Sequence, residues 1–258
     1  MTQSESRKYL IDALLSEEKR YRGMAVPADA EEQKTLLRSL MNVREPGEIG
    51  AEFLRVQDAY LQDRLQERGV VELEALTPVR DGLYLWQGDI TLLRCGAIVN
   101  AANSGMTGCY RPCHACIDNC IHTYAGVQLR RDCGEIMDRQ GYPEPTGQAK
   151  LTKAYNLPCD YVLHTVGPIV EGGLTAEHER LLESCYRSCL DLAAENGIES
   201  IAFCCISTGV FRFPNRRAAE IAVETVENWK RENGSGMKVI FNVFKDLDLE
   251  IYRQLLAE

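Results

Sequence analysis

The chain has 258 residues, 45% of them apolar and 26% charged, an ordinary balance for a globular protein of one large domain or of one domain plus an extension. Its formal charge of −9 argues against broad electrostatic binding to nucleic acid or to an anionic membrane, although a few backbone amides can still hold a phosphate. No apolar run approaches the roughly 18 residues that a membrane helix needs.

Residues 1 to about 75 read as helices. Leu10, Ile11, Leu14 and Leu15 form one amphipathic stripe. Asp29, followed by Glu32, has the form of an N-cap with a capping-box partner, opening a helix through Leu36, Leu37 and Leu40. Pro46-Gly47 interrupts the pattern, and a third helix runs from about Ala51 through Phe53, Val56, Tyr60, Leu61 and Leu65 to a stop at Gly69. This region carries no catalytic constellation and is expected to be a helical N-terminal extension (1–75), with the main domain occupying 76–258. The first residues, Met1–Lys8, lack a hydrophobic signal core, which argues against secretion. Together with eleven cysteines, this points to a reducing, cytoplasmic setting in which thiols are buried, metal-bound or reactive.

From Leu83 the pattern changes to alternating strands and helices. Strands are expected at Leu83–Trp86, Ala97–Val99, Ala149–Tyr155, Tyr161–Val166, Ile201–Ile206 and Val239–Val243. Helices are expected over Ile117–Arg139, over Ala176–Glu195 with a stop at Asn196-Gly197, from Pro214 onward, and at the C-terminus. Such alternation implies a mainly parallel sheet covered by helices, with ligands bound in loops beyond the strand C-terminal ends. Two loops there hold most of the chemistry. One, Asn100 to Gly126, carries four cysteines, a histidine at its centre and an aspartate. The other, Ser207-Thr-Gly-Val-Phe-Arg-Phe-Pro214, has the form of a phosphate cradle ahead of a helix. Cys185 and Cys189 fall on a buried helical stripe, and Cys204 and Cys205 in an apolar run, so all four are expected to behave as core residues.

The cysteine cluster can also be read for metal chemistry. Thiolate and imidazole are preferred ligands of zinc, and catalytic sites hold it with three protein ligands and one open position. Cys109, His114 and Cys116 offer that set with Cys-x-x-x-x-His-x-Cys spacing, which is not that of a common structural finger. On the residues alone, a closed four-ligand structural site that includes Cys113 is the rival. Cys120 lies one turn after Cys116 and is expected to face the core. Asp118 sits at the start of the next helix, where it can serve as a general base or simply complement the helix dipole. His122 is expected to be a core histidine or to support the site from behind. His164 is expected to be a satisfied core residue and His178 a solvated one.

Four motifs in order, Gly88-Asp89-Ile90-Thr91, Ile98-Val-Asn-Ala-Ala-Asn103-Ser, His164-Thr-Val-Gly-Pro168 and Ser207-Thr-Gly-Val-Phe-Arg-Phe-Pro214, resemble those of the macrodomain family over about residues 80 to 258. The resemblance implies a three-layer α/β/α fold with a mixed, mainly parallel central sheet that binds ADP-ribose. The loop Gly108-Cys-Tyr-Arg-Pro-Cys-His-Ala-Cys116 is similar to that of the zinc-dependent branch. That likeness selects Cys109, His114 and Cys116 as the Zn2+ ligands over Cys113 and Cys120. It implies hydrolytic removal of mono-ADP-ribose from protein side chains, with an Asp or Glu linkage, and a lipoyl-carrier protein as one kind of modified partner. By the same resemblance Asp89 holds the adenine amino group with the Ile90 backbone beside it. Asn103 contacts the distal ribose and takes part in catalysis. Ser207, Thr208, Gly209, Val210 and Phe211 hold the diphosphate, the Phe211 ring packs near the distal ribose, and Asp118 is the catalytic acidic residue. Arg212 stands where glycine is common and receives no role. Two alternatives stay open: an ADP-ribose-binding reader with structural zinc, and a hydrolase of small ADP-ribose derivatives.

Overall fold

The computed structural model describes residues 1–257. The chain forms two units, one of residues 1–69, 107–141 and 155–157, the other of residues 70–106, 142–154 and 158 onward. The first unit is helical. Helix α1 (Gln3–Glu17) opens with a reciprocal capping box between Thr2 and Glu5. Helix α2 (Ala30–Val43) is capped by Asp29, whose carboxylate accepts from the N–H groups of Glu31 and Glu32 at 2.9 and 3.0 Å. Helix α3 (Ala51–Arg68) ends at Gly69, which takes φ 83° and donates to Leu65 O. Leu10, Ile11, Leu14 and Leu15 of α1, Leu37, Leu40 and Met41 of α2, and Phe53, Val56, Tyr60 and Leu61 of α3 share one buried core. The stripes read from the sequence are the faces that meet. Residues 107–141, which the sequence reading groups with the main domain, belong to this helical unit.

Within 107–141 the single helix expected over Ile117–Arg139 is two helices, α4 (Ile117–Ala125) and α5 (Val127–Gln140). Gly126 separates them with φ 100° and ψ 172°. A side chain at Gly126 would also lie 2.6 Å from both the Gln57 and Gln128 amides. Those two amides bond to each other, and Gln57 Oε1 accepts the Val127 N–H at 3.0 Å, which satisfies the first turn of α5.

The second unit is built on a sheet. In chain order its strands are β1 (Val71–Glu72), β2 (Pro78–Arg80), β3 (Leu83–Gln87), β4 (Leu93–Arg94), β5 (Ala97–Ala102), β6 (Ala149–Lys153), β7 (Tyr161–Val166), β8 (Ser200–Phe203) and β9 (Lys238–Val243). Seven of them pair in the order β2-β3-β9-β8-β5-β7-β6, and β1 pairs with β4 separately. Only the two outer pairs, β2–β3 and β6–β7, are antiparallel. The result is a mixed, mainly parallel sheet flanked by helices, as expected. Ile98, Val99, Val162, Leu163, Ile201, Ala202, Val239 and Ile240 are fully buried, which is why the central strands read as apolar runs rather than alternations.

Helices α6 (Ala176–Glu195), α7 (Asn215–Asn233) and α8 (Asp246–Ala257) complete this unit. Ala218, Ile221, Ala222, Val226 and Trp229 on α7 are all buried, and the Trp229 indole donates to Asp191 on α6 at 2.6 Å. Cys185 and Cys189 are buried on α6, as their spacing implies, and burial pushes both thiols up from their ordinary range. Strand β8 ends at Phe203, three residues short of the expected Ile206, so Cys204–Ile206 belong to the loop that follows. The strand expected over Ala149–Tyr155 likewise ends at Lys153. Among the described residues no helix is long and apolar enough to cross a membrane.

Candidate functional site: a nucleotide-loop edge and a Cys/His cluster

Strands β3, β9, β8, β5 and β7 run parallel, so the loops leaving their C-terminal ends gather along one edge of the sheet. After β3, Asp89 caps a short turn, its Oδ1 accepting from the Thr91 N–H at 3.0 Å and from the Thr91 hydroxyl at 2.6 Å. That turn leaves Asp89 half-buried beside fully buried Ile90. After β9 comes Phe244, 76% exposed. Gly88 N–H donates to Val243 O at 3.0 Å, and the Gln87 amide donates to Phe244 O at 3.3 Å. These bonds hold the Phe244 backbone next to the Asp89 turn. Sequence reasoning passed over Phe244; the available signal was a bulky aromatic one residue beyond a buried strand, just ahead of a helix.

After β5, Asn103 makes a tight turn, its Oδ1 accepting from Gly105 N–H at 2.9 Å and its carbonyl from Met106 N–H at 3.0 Å. Glu144, wholly buried in its side chain, is held there through its own N–H to Ser104 O at 2.8 Å and through an ion pair to Lys150 at 2.9 Å.

The loop after β8 is wound tightly. Ser207 and Arg212 take φ 65° and 59°, the left-handed region that favours glycine. The position of Arg212 explains why glycine suits it. Phe213 N–H closes onto Ser207 O at 3.0 Å, Arg212 N–H onto Gly209 O at 3.1 Å, and Thr208 caps Cys205 O through both N–H and hydroxyl. Among the described residues, the N–H groups of Gly209, Val210 and Phe211 have no protein acceptor. Three consecutive amides left open in a wound loop make an anion nest. The Ser207 hydroxyl is buried and has no partner either. The neighbouring loop explains Gly167 of the His164–Pro168 motif: a Cβ there would sit 2.1 Å from Ser207 Oγ, while Val170 N–H donates to Phe211 O at 2.9 Å. His164 itself is the satisfied core residue expected, within 3.1 Å of the Asn100 amide and 2.9 Å of the Thr152 hydroxyl. Burial lowers its pKa to about 3, so it stays neutral.

In the helical unit, the loop ahead of α4 brings Cys109, His114 and Cys116 together, with all three ligand atoms within 4.8 Å of one another. Cys109 Sγ lies 3.6 Å from His114 Nδ1. Tetrahedral zinc with ordinary Zn–S and Zn–N bonds separates such a pair by about 3.6 Å, so the residues fit the ion. The donor chemistry agrees. Burial, and to a lesser degree the adjacent Cys109, push the Cys116 thiol up to about 12, against an N–H bond from Asn119 that pulls it down. A cation beside the Cys116 sulfur would offset the cost of burying its thiolate.

The other two thiols of the loop point elsewhere. Cys113, at φ 53°, turns its Sγ toward the Ser39 hydroxyl (3.2 Å) and Thr35 O (3.5 Å) of α2. Cys120 Sγ lies 3.6 Å from Arg38 Nη2. Asp118 stands in the first turn of α4, buried, with Oδ1 3.6 Å from His122 Nε2 one turn on. Gly108 allows this packing, because a Cβ there would lie 2.8 Å from the His122 ring.

The N-terminal helices carry no catalytic constellation in the sequence, and in the structure α2 takes a supporting role. Thr35, Arg38, Ser39 and Asn42 recur at i, i+3, i+4 and i+7 on one face, and each bonds to the cysteine loop or to α4. The signal was that polar stripe, which a single sequence presents as a solvated face.

An acidic turn, an exposed aromatic residue and three open amides thus lie along one edge of a mainly parallel sheet. The Macro domain family profile matches residues 99–222. A Treponema medium protein called protein-ADP-ribose hydrolase is 60% identical, with all of both chains covered. A Staphylococcus aureus protein of the same name is 47% identical over 98% of this chain and 97% of its own. The crystal structure of a Trypanosoma brucei macrodomain in complex with ADP-ribose superposes with a TM-score of 0.66 at 30% identity, covering 85% of this chain and 94% of that one. This chain belongs to the macro domain family.

Proposed function

We propose that the protein is a zinc-dependent hydrolase that removes mono-ADP-ribose from modified protein side chains and so reverses protein ADP-ribosylation. The observation that carries the reading is the anion nest of Gly209, Val210 and Phe211, in a chain 60% identical along its whole length to a protein-ADP-ribose hydrolase.

Each group has a task that its chemistry suits. The Ser207–Phe211 loop receives the diphosphate on backbone N–H groups, so an acidic protein needs no basic patch to hold it. Asp89 accepts from the adenine amino group beside Ile90, and the exposed Phe244 ring offers the base a stacking face. Asn103 positions the distal ribose. Asp118 takes the proton of the attacking water as the anomeric C–O bond breaks and the side-chain carboxylate leaves with the bonding pair. Cys109, His114 and Cys116 would hold the zinc, which when bound supplies Lewis-acid polarisation of an oxygen ligand. Asp- or Glu-linked modification fits a carboxylate leaving group, and a lipoyl-carrier protein is the first modified partner to assay.

The reader alternative requires a closed fourth ligand. It is disfavoured by Cys113 and Cys120, whose sulfurs lie against Ser39 and Arg38. Product analysis separates the remaining possibilities. Glutamate-linked mono-ADP-ribosyl protein, O-acetyl-ADP-ribose and ADP-ribose 1″-phosphate are offered at equal concentration. Preferred release of ADP-ribose from the modified protein is expected. Turnover of only the small esters contradicts the protein-directed reading, and tight ADP-ribose binding with no turnover of any of them favours the reader.

A further inference from the structure

Helix α2 contributes nothing to the candidate ligand set, yet its polar face is spent on holding that set in place. Arg38 Nη2 donates to His114 O at 2.9 Å and to Asn119 Oδ1 at 2.9 Å. Asn119, oriented by that bond and fully buried, donates from its amide to Cys109 O at 3.3 Å and Arg111 O at 3.0 Å. Its backbone N–H donates to Cys116 Sγ at 3.4 Å. The guanidinium thus reaches His114 directly and Cys109 through the Asn119 side-chain amide, while the Asn119 backbone N–H reaches Cys116. On the same stripe, Asn42 Oδ1 accepts the Cys113 N–H at 2.9 Å, and Ser39 and Thr35 engage the Cys113 sulfur. This keeps a fourth thiol out of the cluster.

We infer that the Arg38–Asn119 pair positions the metal ligands, so that the N-terminal helices are an integral part of the metal centre. The inference rests on the zinc reading above and deepens it. Three ligands carried within eight residues of loop must give up conformational freedom to converge on one ion. A frame that fixes the backbone at Cys109, Arg111 and His114 meets the ordering cost at folding rather than at metal binding. It also fixes the ligand number at three, since the stripe that orders the loop is the one that draws Cys113 away.

The test is metal affinity and geometry, read with Zn2+ in competition with a chromophoric chelator and with Co2+ by its thiolate charge-transfer and d–d bands. Arg38→Met and Asn119→Ala are expected to bind Zn2+ about 10- to 100-fold more weakly than the unsubstituted chain, with shifted cobalt bands. ADP-ribose affinity is expected to stay unchanged in both. Arg38→Lys, which keeps the charge on a shorter arm, is expected to fall between, and Asn119→Ala decides the matter if Arg38→Met does not fold. Leu37→Ala, on the buried apolar face of the same helix, lowers stability without touching the loop and is expected to leave both metal readouts as they were. Full Zn2+ affinity and unshifted cobalt bands in Arg38→Lys and Asn119→Ala overturn the inference alone. Absence of stoichiometric metal in the unsubstituted chain overturns the zinc reading beneath it.

Discussion

Ser207 and Gly167 show how little room the loop after β8 has. The Ser207 backbone is left-handed, its hydroxyl is buried, and the only residue that fits 2.1 Å from that hydroxyl is one without a Cβ. Gly167→Ala should push the Ser207 side chain, and with it the open amides, out of place. An overpacking cost of about 1–3 kcal/mol and at least roughly tenfold weaker ADP-ribose binding are expected, checked by thermal melts and calorimetric titration. Phe244 makes the complementary test, because a ring 76% exposed contributes little to the core. Phe244→Ala should leave stability within about 0.5 kcal/mol while weakening ADP-ribose binding by about 1–3 kcal/mol, measured by the same titration. His164 couples the sheet to pH. Its folded-state pKa near 3 lies below the unfolded value of about 6.5, so the unfolded chain takes up the proton first as pH falls. Stability then drops by about 1.4 kcal/mol per pH unit between about 6.5 and 3 from this group alone. Denaturant unfolding over that window should show a shallower pH slope for His164→Gln, whatever its stability at pH 7; equal slopes would contradict the assignment.

Element by element, the sequence carried information where burial and periodicity agree. The α1, α2 and α3 stripes, the N-cap at Asp29, the stop at Gly69, the bounds of α6 and the inner face of α7 were all legible, because each rests on local chemistry. The misses share a cause. Ile201–Ile206 is apolar throughout, and periodicity alone cannot say where such a run leaves the ladder. The β5–β8 pairing covers only Ile201 and Ala202, and the chain then turns to set up Ser207. The Ile117–Arg139 helix is broken by one glycine whose positive φ depends on contacts with Gln57, far away in sequence. The candidate ligands Cys109, His114 and Cys116 could be read from spacing and resemblance, and the structure brings them together. Their support could not, because Thr35, Arg38, Ser39 and Asn42 look like solvated helix positions until the loop they bind is seen.

At the scale of the whole molecule, residues 1–69 form one unit with residues 107–141 and 155–157. The Cys/His loop, α4 and α5 belong to the same unit as α1, α2 and α3, while Asp89, Asn103 and the Ser207 loop belong to the sheet unit. The candidate metal ligands and the proposed nucleotide-binding residues therefore rest on separate sets of contacts, and their roles should be separable by experiment. Removing metal should leave ADP-ribose binding within about twofold, since none of Asp89, Asn103, Gly209, Val210 or Phe211 is among the candidate ligands. The central claim is metal-dependent hydrolysis of a modified protein. It is tested most directly by the rate of ADP-ribose release from a glutamate-linked mono-ADP-ribosyl protein, measured before chelation, after exhaustive chelation and after return of stoichiometric Zn2+. The account requires release that falls at least about 100-fold on chelation and recovers with one equivalent of zinc. Undiminished release from the metal-free protein would contradict it.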